Sequence, residues 1–156
     1  MLYRLYSSED FDALYAIEEV CFEPPFRFGR RYMKQLVSRA DAATWVAEES
    51  GRLVGFAIVE WARETGGLVA YIATIEVIQD LRGNGVGGEL LRKLESSAVG
   101  ASAQSLWLHV DAENARAIRL YEAHEYLQEG TEEEFYPNGR AALIFSKVLE
   151  PGTRFG

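Results

Sequence analysis

Residues Ile75–Leu91 read IEVIQDLRGNGVGGELL, and this stretch decides the fold more than any other part of the chain. A β-branched strand runs into a glycine-rich turn and then directly into an amphipathic helix whose apolar residues recur every three or four positions. Because glycine has no Cβ atom, the backbone can turn tightly and approach a ligand closely. The unpaired amides of the first helical turn then form an anion site, and a pyrophosphate is the natural occupant.

Several phosphate-binding patterns compete for this turn. Gly83, Gly85 and Gly88 satisfy the dinucleotide pattern G-x-G-x-x-G, but at least three predicted strands come before the turn, whereas the dinucleotide turn follows the first strand. The nucleoside-triphosphate P-loop is excluded because no G-K-[ST] follows the glycines. Another pattern, [QR]-x-x-G-x-[GA], is filled completely by Arg82, Gly85 and Gly87.

Outward from the turn, apolar periodicity predicts a mixed sheet covered by helices. Predicted strands cover residues 2–6, 44–49, 52–61, 68–78, 106–110, 126–136 and 142–149, and predicted helices cover about 11–22, 30–39, 85–99 and 114–124. No repeat, low-complexity block or internal linker interrupts these elements. We therefore expect one domain over residues 1–149 and a short flexible tail over residues 150–156.

The composition is that of an ordinary globular domain, with 156 residues, 48% hydrophobic and 26% charged. The N-terminus lacks a secretory pattern, no stretch is long and apolar enough for a membrane span, and Cys21 is the only cysteine, so we expect a cytoplasmic protein. A net charge of −8 argues against a nucleic-acid partner. Scattered histidines and cysteine predict no metal site, no membrane partner is expected, and a homodimer is left open.

A second block, Leu106–Tyr126, reads LWLHVDAENARAIRLYEAHEY and carries the spacing N-x-x-A-x-x-[LF]-Y at Asn114, Ala117 and Tyr121. With both blocks, the chain resembles the GNAT superfamily of acetyl-CoA-dependent N-acetyltransferases over roughly residues 2–149. The resemblance implies an α/β fold with a mostly antiparallel seven-stranded sheet, splayed between strands 4 and 5 and flanked by about four helices. Bacterial and archaeal protein N-terminal acetyltransferases, including those that modify ribosomal-protein alanine, are the most similar, through Ile17-Glu18, Cys21-Phe22, Pro25 and Phe135-Tyr136-Pro137.

This resemblance implies acetyl-CoA as cofactor and assigns residues to it. The pantetheine arm is expected along the backbone of Ile75, Val77 and Ile78, and Asn114 and Ala117 are expected beside it. Asn114 also stands where a helix cap is needed, and the two roles are compatible. The pyrophosphate is expected on the turn, at Arg82, Gly83, Asn84, Gly85, Val86, Gly87 and Gly88.

Tyr121 is the candidate general acid. Breakdown of the tetrahedral intermediate expels a thiolate whose conjugate acid resembles a thiol of pKa about 8.5, and a phenol of pKa about 10 can donate a hydrogen bond or a proton to it. Without the family resemblance, a core tyrosine on the helix face that includes Ile118 would be the simpler interpretation.

A general base is needed because an amine attacks a thioester only when it is neutral. Glu76 lies in the strand before the turn, between Ile75 and Val77, where a carboxylate is unusual. His109 lies in the second block, at a position where the similar acetyltransferases commonly have glutamate, and an unperturbed histidine pKa near 6.5 suits proton acceptance. The sequence leaves both open and predicts that a backbone N–H near Val77 holds the oxyanion.

The acceptor amine is expected to enter between the loop joining the first two helices and the hairpin of the last two strands. Phe22, Phe26, Phe28 and Tyr136 are the candidate acceptor contacts, although core packing explains such aromatic residues almost as well. The acidic run Glu132–Glu134 is either a solvated surface or an attractor for cations. A second departure from the family, besides His109, is Glu125, which stands where glycine is usual.

We therefore predict an enzyme that transfers acetyl from acetyl-CoA to a primary amine by direct attack in a ternary complex. A protein N-terminal α-amine is the preferred acceptor. A small amine, such as a polyamine, amino sugar or amino acid, is the enzymatic alternative. A catalytically silent acyl-CoA-binding module is the alternative of a different class.

Overall fold

A single seven-stranded sheet forms the centre of the computed structural model, which describes residues 1–149. The strand order is β1-β2-β3-β4-β5-β7-β6, and every neighbouring pair is antiparallel except β4 and β5, which are parallel. This arrangement confirms the predicted fold class. The strands are β1 (Leu2–Leu5), β2 (Ala42–Glu49), β3 (Arg52–Glu64), β4 (Gly67–Val77), β5 (Ser105–Asp111), β6 (Leu127–Glu132) and β7 (Ala142–Val148).

Helices cover both faces of the sheet. They are α1 (Phe11–Cys21), α2 (Arg30–Val37), α3 (Val86–Gly100) and α4 (Ala115–Ala123), with short 3₁₀ turns at Ser8–Asp10 and Gln79–Leu81. On one face, Leu90, Leu91 and Leu94 of α3 are fully buried in the larger apolar cluster. On the other face, Leu14 of α1 and Met33 of α2 are fully buried in a second cluster.

None of the helices that the structure describes is long and apolar enough to cross a membrane. The predicted C-terminal tail, residues 150–156, lies outside the described residues. The single-domain division and the cytoplasmic location stay predictions.

The largest difference from the predicted elements is at β6. The strand was expected to reach Tyr136, but it ends at Glu132, and residues 133–141 form a loop with Glu134 at φ 51° and Gly139 at φ 87°. Backbone in this left-handed region cannot continue a strand. Residues 133–141 are therefore not part of the sheet, and this loop can border a binding site.

The sheet splits between β4 and β5. These strands pair only at Val69↔Ser105, Ala70↔Leu106 and Tyr71↔Trp107, while β5 pairs with β7 along its whole length. The register between β3 and β4 also shifts beside Ala73, which places a bulge where the strands part. Beyond Tyr71, an opening separates residues 72–77 of β4 from residues 108–111 of β5. We call this opening the inter-strand cleft.

Candidate active site

The glycine-rich turn brings bare backbone amides to one end of the inter-strand cleft. Gly83 and Gly85 have φ angles of 83° and 84°, which are favourable only for glycine. Helix α3 begins directly after Gly85, and no side chain caps its first turn. Its first amides are therefore free to bind an anion, and the helix dipole favours a negative charge there. The donors and the backbone shape fit a pyrophosphate group.

The side chain of Arg82 braces this turn. Its Nε–H donates to the carbonyl oxygen of Val77 over 2.9 Å, and one terminal nitrogen lies 3.7 Å from Sγ of Cys21. The side-chain amide of Asn84 lies 3.3 Å from the carbonyl oxygen of Leu81. Arg82 thus ties the turn to the end of β4, a role that the sequence motif did not indicate.

Two further glycines let α4 approach the first turn of α3. A Cβ atom at Gly88 would lie 3.2 Å from a ring carbon of His124, and one at Gly87 would lie 3.6 Å from Leu120. Larger residues at position 88 would push the two helices apart. The imidazole of His124 is half-buried against α3.

The backbone of β4 presents hydrogen-bonding groups to the inter-strand cleft. The N–H of Ile78 bonds to the carbonyl oxygen of Val54 on the β3 side, over 2.9 Å. Because backbone groups alternate along a strand, the N–H groups of Ile75 and Val77 face the opposite side, where β5 has moved away. Ile75 and Val77 therefore present N–H groups to the cleft, and Ile78 does not.

Helix α4 starts with an Asn114 cap and ends with a left-handed residue. The side-chain oxygen of Asn114 accepts the N–H of Ala117 over 3.1 Å, so the capping role is present. At the other end, the N–H of Tyr126 bonds to Tyr121 and that of Glu125 bonds to Glu122, which is the Schellman pattern. Glu125 has φ 70°, which explains why glycine is usual at this position.

This helix end holds Tyr121 in place. Its ring packs against Tyr126, with ring centroids 5.7 Å apart, and only 7% of the residue is exposed. The hydroxyl group makes no hydrogen bond to any residue of the described chain. Burial raises the pKa of the phenol, and the phenols of Tyr136 and Tyr71 raise this pKa further. Tyr121 therefore stays protonated and its hydroxyl is available as a donor.

His109 lies where β4 and β5 diverge, and both of its ring nitrogens have partners. Nδ1 is 2.8 Å from the hydroxyl of Tyr71, and Nε2 is 3.1 Å from a carboxylate oxygen of Glu132. The ring stacks on Phe135 at 4.2 Å, and 11% of the side chain is exposed. Burial, with a smaller contribution from Glu60, raises the pKa of Tyr71 to about 12.

Sequence reasoning missed Tyr71 as a functional candidate, and it considered Glu132 only as a solvated surface residue or an attractor for cations, not as a partner of His109. Tyr71 reads as an ordinary aromatic strand residue, and Glu132 as part of an acidic run. The only signal in the sequence was that Tyr71 and His109 both lie in predicted strands. The parallel register that places Tyr71 opposite Trp107 comes from the fold.

Glu76 occupies a different environment from His109. It is 3% exposed, accepts a hydrogen bond from the hydroxyl of Thr74 over 2.8 Å, and meets the carboxyl of Glu18 from α1. Burial raises the pKa of Glu76 well above its ordinary value, and the contact with Glu18 raises it further. Glu76 therefore has Thr74 and Glu18 as neighbours, whereas His109 has Tyr71 and Glu132.

The α1–α2 loop, residues 22–29, is one border of the expected acceptor entrance, which we call the mouth of the inter-strand cleft. Phe22 and Phe26 are exposed there, and Phe28 is half-buried. The backbone of Phe28 is held on both sides, since its N–H donates to Glu18 over 2.9 Å and its carbonyl oxygen accepts the Tyr15 hydroxyl over 2.8 Å. The loop therefore has a fixed shape and presents aromatic side chains.

The opposite border is the β6–β7 loop, residues 133–141. Arg140 donates to both carboxylate oxygens of Asp111 at the end of β5, the shortest contact being 2.6 Å. The N–H of Tyr136 bonds to the carbonyl oxygen of Arg140, and its ring packs edge-on against Phe135 at 4.9 Å. These contacts hold Tyr136 against Phe135, whose ring stacks on His109.

Comparison with known proteins agrees with this geometry. Residues 11–126 match the model of the acetyltransferase (GNAT) family. An uncharacterised N-acetyltransferase of Methanocaldococcus jannaschii is 29% identical over 154 aligned positions, covering 94% of this chain and 91% of the relative. N-alpha-acetyltransferase 60 of Xenopus tropicalis is 27% identical over 138 positions, covering 75% of this chain but 57% of the relative's length.

Solved structures share the fold. The ribosomal-protein-S18-alanine N-acetyltransferase from Escherichia coli superposes with a TM-score of 0.82 at 24% identity, covering 96% of this chain and 94% of that one. Arabidopsis thaliana NAA60 in complex with acetyl-CoA superposes with a TM-score of 0.83 at 21% identity, covering 95% and 98%. The chain belongs to the GNAT family of acetyltransferases, and the resemblance recognised in the sequence is confirmed.

Proposed function

We propose that this enzyme transfers the acetyl group of acetyl-CoA directly to the α-amine of a protein N-terminus. One observation carries the proposal. The hydrogen bond of 2.8 Å between the hydroxyl of Tyr71 and Nδ1 of His109, at the end of the inter-strand cleft, supports a role for His109 as the proton acceptor. Relatives named as N-alpha-acetyltransferases support the choice of acceptor.

His109 and Tyr71 form the proton path. The carboxylate of Glu132 accepts the Nε2–H of His109, which leaves the lone pair on Nδ1 to accept the hydroxyl proton of Tyr71. The phenol oxygen can then accept a proton from the attacking amine while its own proton moves to Nδ1. The negative charge of Glu132 stabilises the imidazolium ion that forms.

Backbone groups of the chain also bind the acyl donor, acetyl-CoA. The amides after Gly85 hold the pyrophosphate, and the backbone of Ile75 and Val77 offers pantetheine the hydrogen bonds of an added strand. The N–H of Val77 is our candidate for holding the oxyanion. Asn114 and Ala117 border the same arm from α4.

Tyr121 assists the leaving group. Because its pKa lies above that of a thiol, complete proton transfer to the sulfur is unfavourable, and the phenol stabilises the thiolate by donating a hydrogen bond. The hydroxyl has no partner among the described residues that would compete for this hydrogen bond.

The mouth supports an extended peptide as acceptor. Two loops border it, and Phe22, Phe26 and Tyr136 offer apolar contact area. An opening between loops accommodates a chain that continues away from the reacting amine, which a closed pocket would not.

A small amine is the second candidate, and one feature favours it. A hollow of about 320 Å³ beside Tyr71 is lined by Trp61 and Trp107 and by the carboxylates of Glu60 and Glu64. Aromatic faces and carboxylates attract the second cationic group of a polyamine. Arg39 lies against Glu60 and neutralises part of this charge, so we place this candidate second.

Acceptor panels test the proposal. Purified enzyme and acetyl-CoA are incubated with peptides of varied first and second residue, each also supplied with a blocked N-terminus, and with polyamines, amino sugars and amino acids. Thiol release and mass spectrometry report turnover. We expect acetylation of free N-termini only. Turnover restricted to small amines would select the second candidate, and binding of acetyl-CoA without turnover would indicate the silent module.

A further inference from the structure

Two carboxyl groups meet inside the protein between α1 and β4. Glu18 and Glu76 are 1% and 3% exposed. One oxygen of each has a partner, since Glu18 accepts the N–H of Phe28 over 2.9 Å and Glu76 accepts the hydroxyl of Thr74 over 2.8 Å. The other oxygen of each is buried and has no hydrogen-bond partner within the described chain. Two buried acceptors side by side lack a donor.

The neighbouring groups supply one positive charge. Cys21 of α1 lies beside the pair, and the guanidinium of Arg82 lies near both Cys21 and Glu76. Phe56 of β3 and Ile17 of α1 belong to the apolar cluster on this side of the sheet. Two ionised carboxylates in such a site would repel each other, and Arg82 compensates only one of them.

We propose that Glu18 and Glu76 share one proton and act as positioning residues that link the α1–α2 loop to strand β4. The linked chain runs from Phe28 through the two carboxyls to Thr74, next to the bulge of β4. A proton between the two unpartnered oxygens supplies the missing donor to both. The link to acceptor binding rests on the proposed function, whereas the shared proton does not.

Loss of the proton has a definite consequence. Two negative charges would separate, and Glu18 would release the N–H of Phe28 and with it the α1–α2 loop. The acceptor KM should then rise by about three- to tenfold, which is the effect of losing one such hydrogen bond. The kcat should change little, because within residues 1–149 no hydrogen bond joins Glu18 or Glu76 to His109, Tyr71 or Tyr121.

Stability should depend on pH with a known sign. The folded pKa of Glu76 is raised above the unfolded value of about 4.3, so the folded state holds a proton that the unfolded state releases. Stability is therefore highest below that unfolded value and decreases as the pH rises through the folded pKa. Glu76→Gln should remove this decrease, because its amide donates to Glu18 at every pH.

The experiment combines three readouts on the full chain. Carboxyl ¹³C NMR follows the glutamates during a pH titration of the free wild-type enzyme. Thermal unfolding and acceptor KM and kcat are measured from acid to alkaline pH for wild type, Glu76→Gln and Glu18→Gln. Glu19→Gln, an exposed neighbour on α1, is the matched control. We expect one carboxyl to titrate far above the others, and both buried-site variants to lose the alkaline rise in KM.

Contrary results have separate meanings. If both buried carboxyls titrate in the ordinary glutamate range, the shared proton is disproved. This result needs only the wild-type protein and does not depend on whether a variant folds or is active. If Glu76→Gln keeps the wild-type rise in KM, the positioning role is disproved. Absence of all acetylation would count against the proposed function alone, since NMR and unfolding still decide whether the proton is shared.

Discussion

The hydroxyl of Tyr71 lies 2.8 Å from Nδ1 of His109 and joins β4 to β5 where their backbone pairing stops. Tyr71 is the last β4 residue paired with β5, opposite Trp107, and His109 is two positions further along β5. Both side chains therefore point to the same face of the sheet. The hydrogen-bonded pair therefore lies at the end of the inter-strand cleft where β4 and β5 begin to separate.

Tyr71→Phe should lower kcat by roughly 10²–10⁴-fold, because the amine would lose its proton path to His109. Affinity for acetyl-CoA should stay within about twofold, since the phenol lies away from the glycine-rich turn. Steady-state kinetics with a peptide acceptor and calorimetry with coenzyme A measure the two effects. Tyr6→Phe, on the opposite side of the sheet from α3 and outside the cleft, is the control and should behave as wild type. A Tyr71→Phe enzyme with wild-type kcat would remove Tyr71 from the mechanism.

Tyr121→Phe should also lower kcat by roughly 10²–10⁴-fold, through loss of the hydrogen bond to the leaving sulfur. Stability should change by less than about 0.5 kcal/mol, because the hydroxyl has no partner within the described residues. Kinetics and denaturant unfolding of the same preparation separate these effects. A reduction of kcat below about threefold would leave Tyr121 with a packing role only.

Gly85→Glu should abolish binding of coenzyme A. The substitution forces a side chain into φ 84° and places a carboxylate where the phosphates bind. Calorimetric titration should show an affinity loss of at least about 100-fold. Gly66→Glu introduces the same charge at an exposed glycine of ordinary φ and open surroundings, and it should bind normally. Normal affinity of Gly85→Glu would show that the turn does not hold the cofactor.

Glu125→Gly should stabilise the protein by about 1 kcal/mol, because glycine adopts φ 70° without the clash that a Cβ atom brings. Glu122→Gly places the same change inside α4 and should destabilise by about 1 kcal/mol. Urea unfolding of both variants tests the pair. Equal effects of the two substitutions would mean that the backbone at position 125 is not strained.

Local sequence determined much of the molecule. The glycine-rich turn and the Asn114 cap both follow from conformations that only certain residues favour. Apolar periodicity also gave every strand and helix to within a few residues, except for the early end of β6. Glu76 and His109 could be selected as candidates from their residue types and positions, whereas the role of Tyr121 followed from the family resemblance.

Tertiary structure alone decided which side chains meet. No local preference brings Tyr71 and Glu132 to His109, since they lie 38 and 23 residues away along the chain and depend on the register of β4, β5 and β6. The contact of Glu18 with Glu76 likewise depends on how α1 packs on the sheet. Short-range sterics therefore control the backbone conformation of most segments and can be read from the residues, whereas the proton environments of the side chains arise from long-range packing.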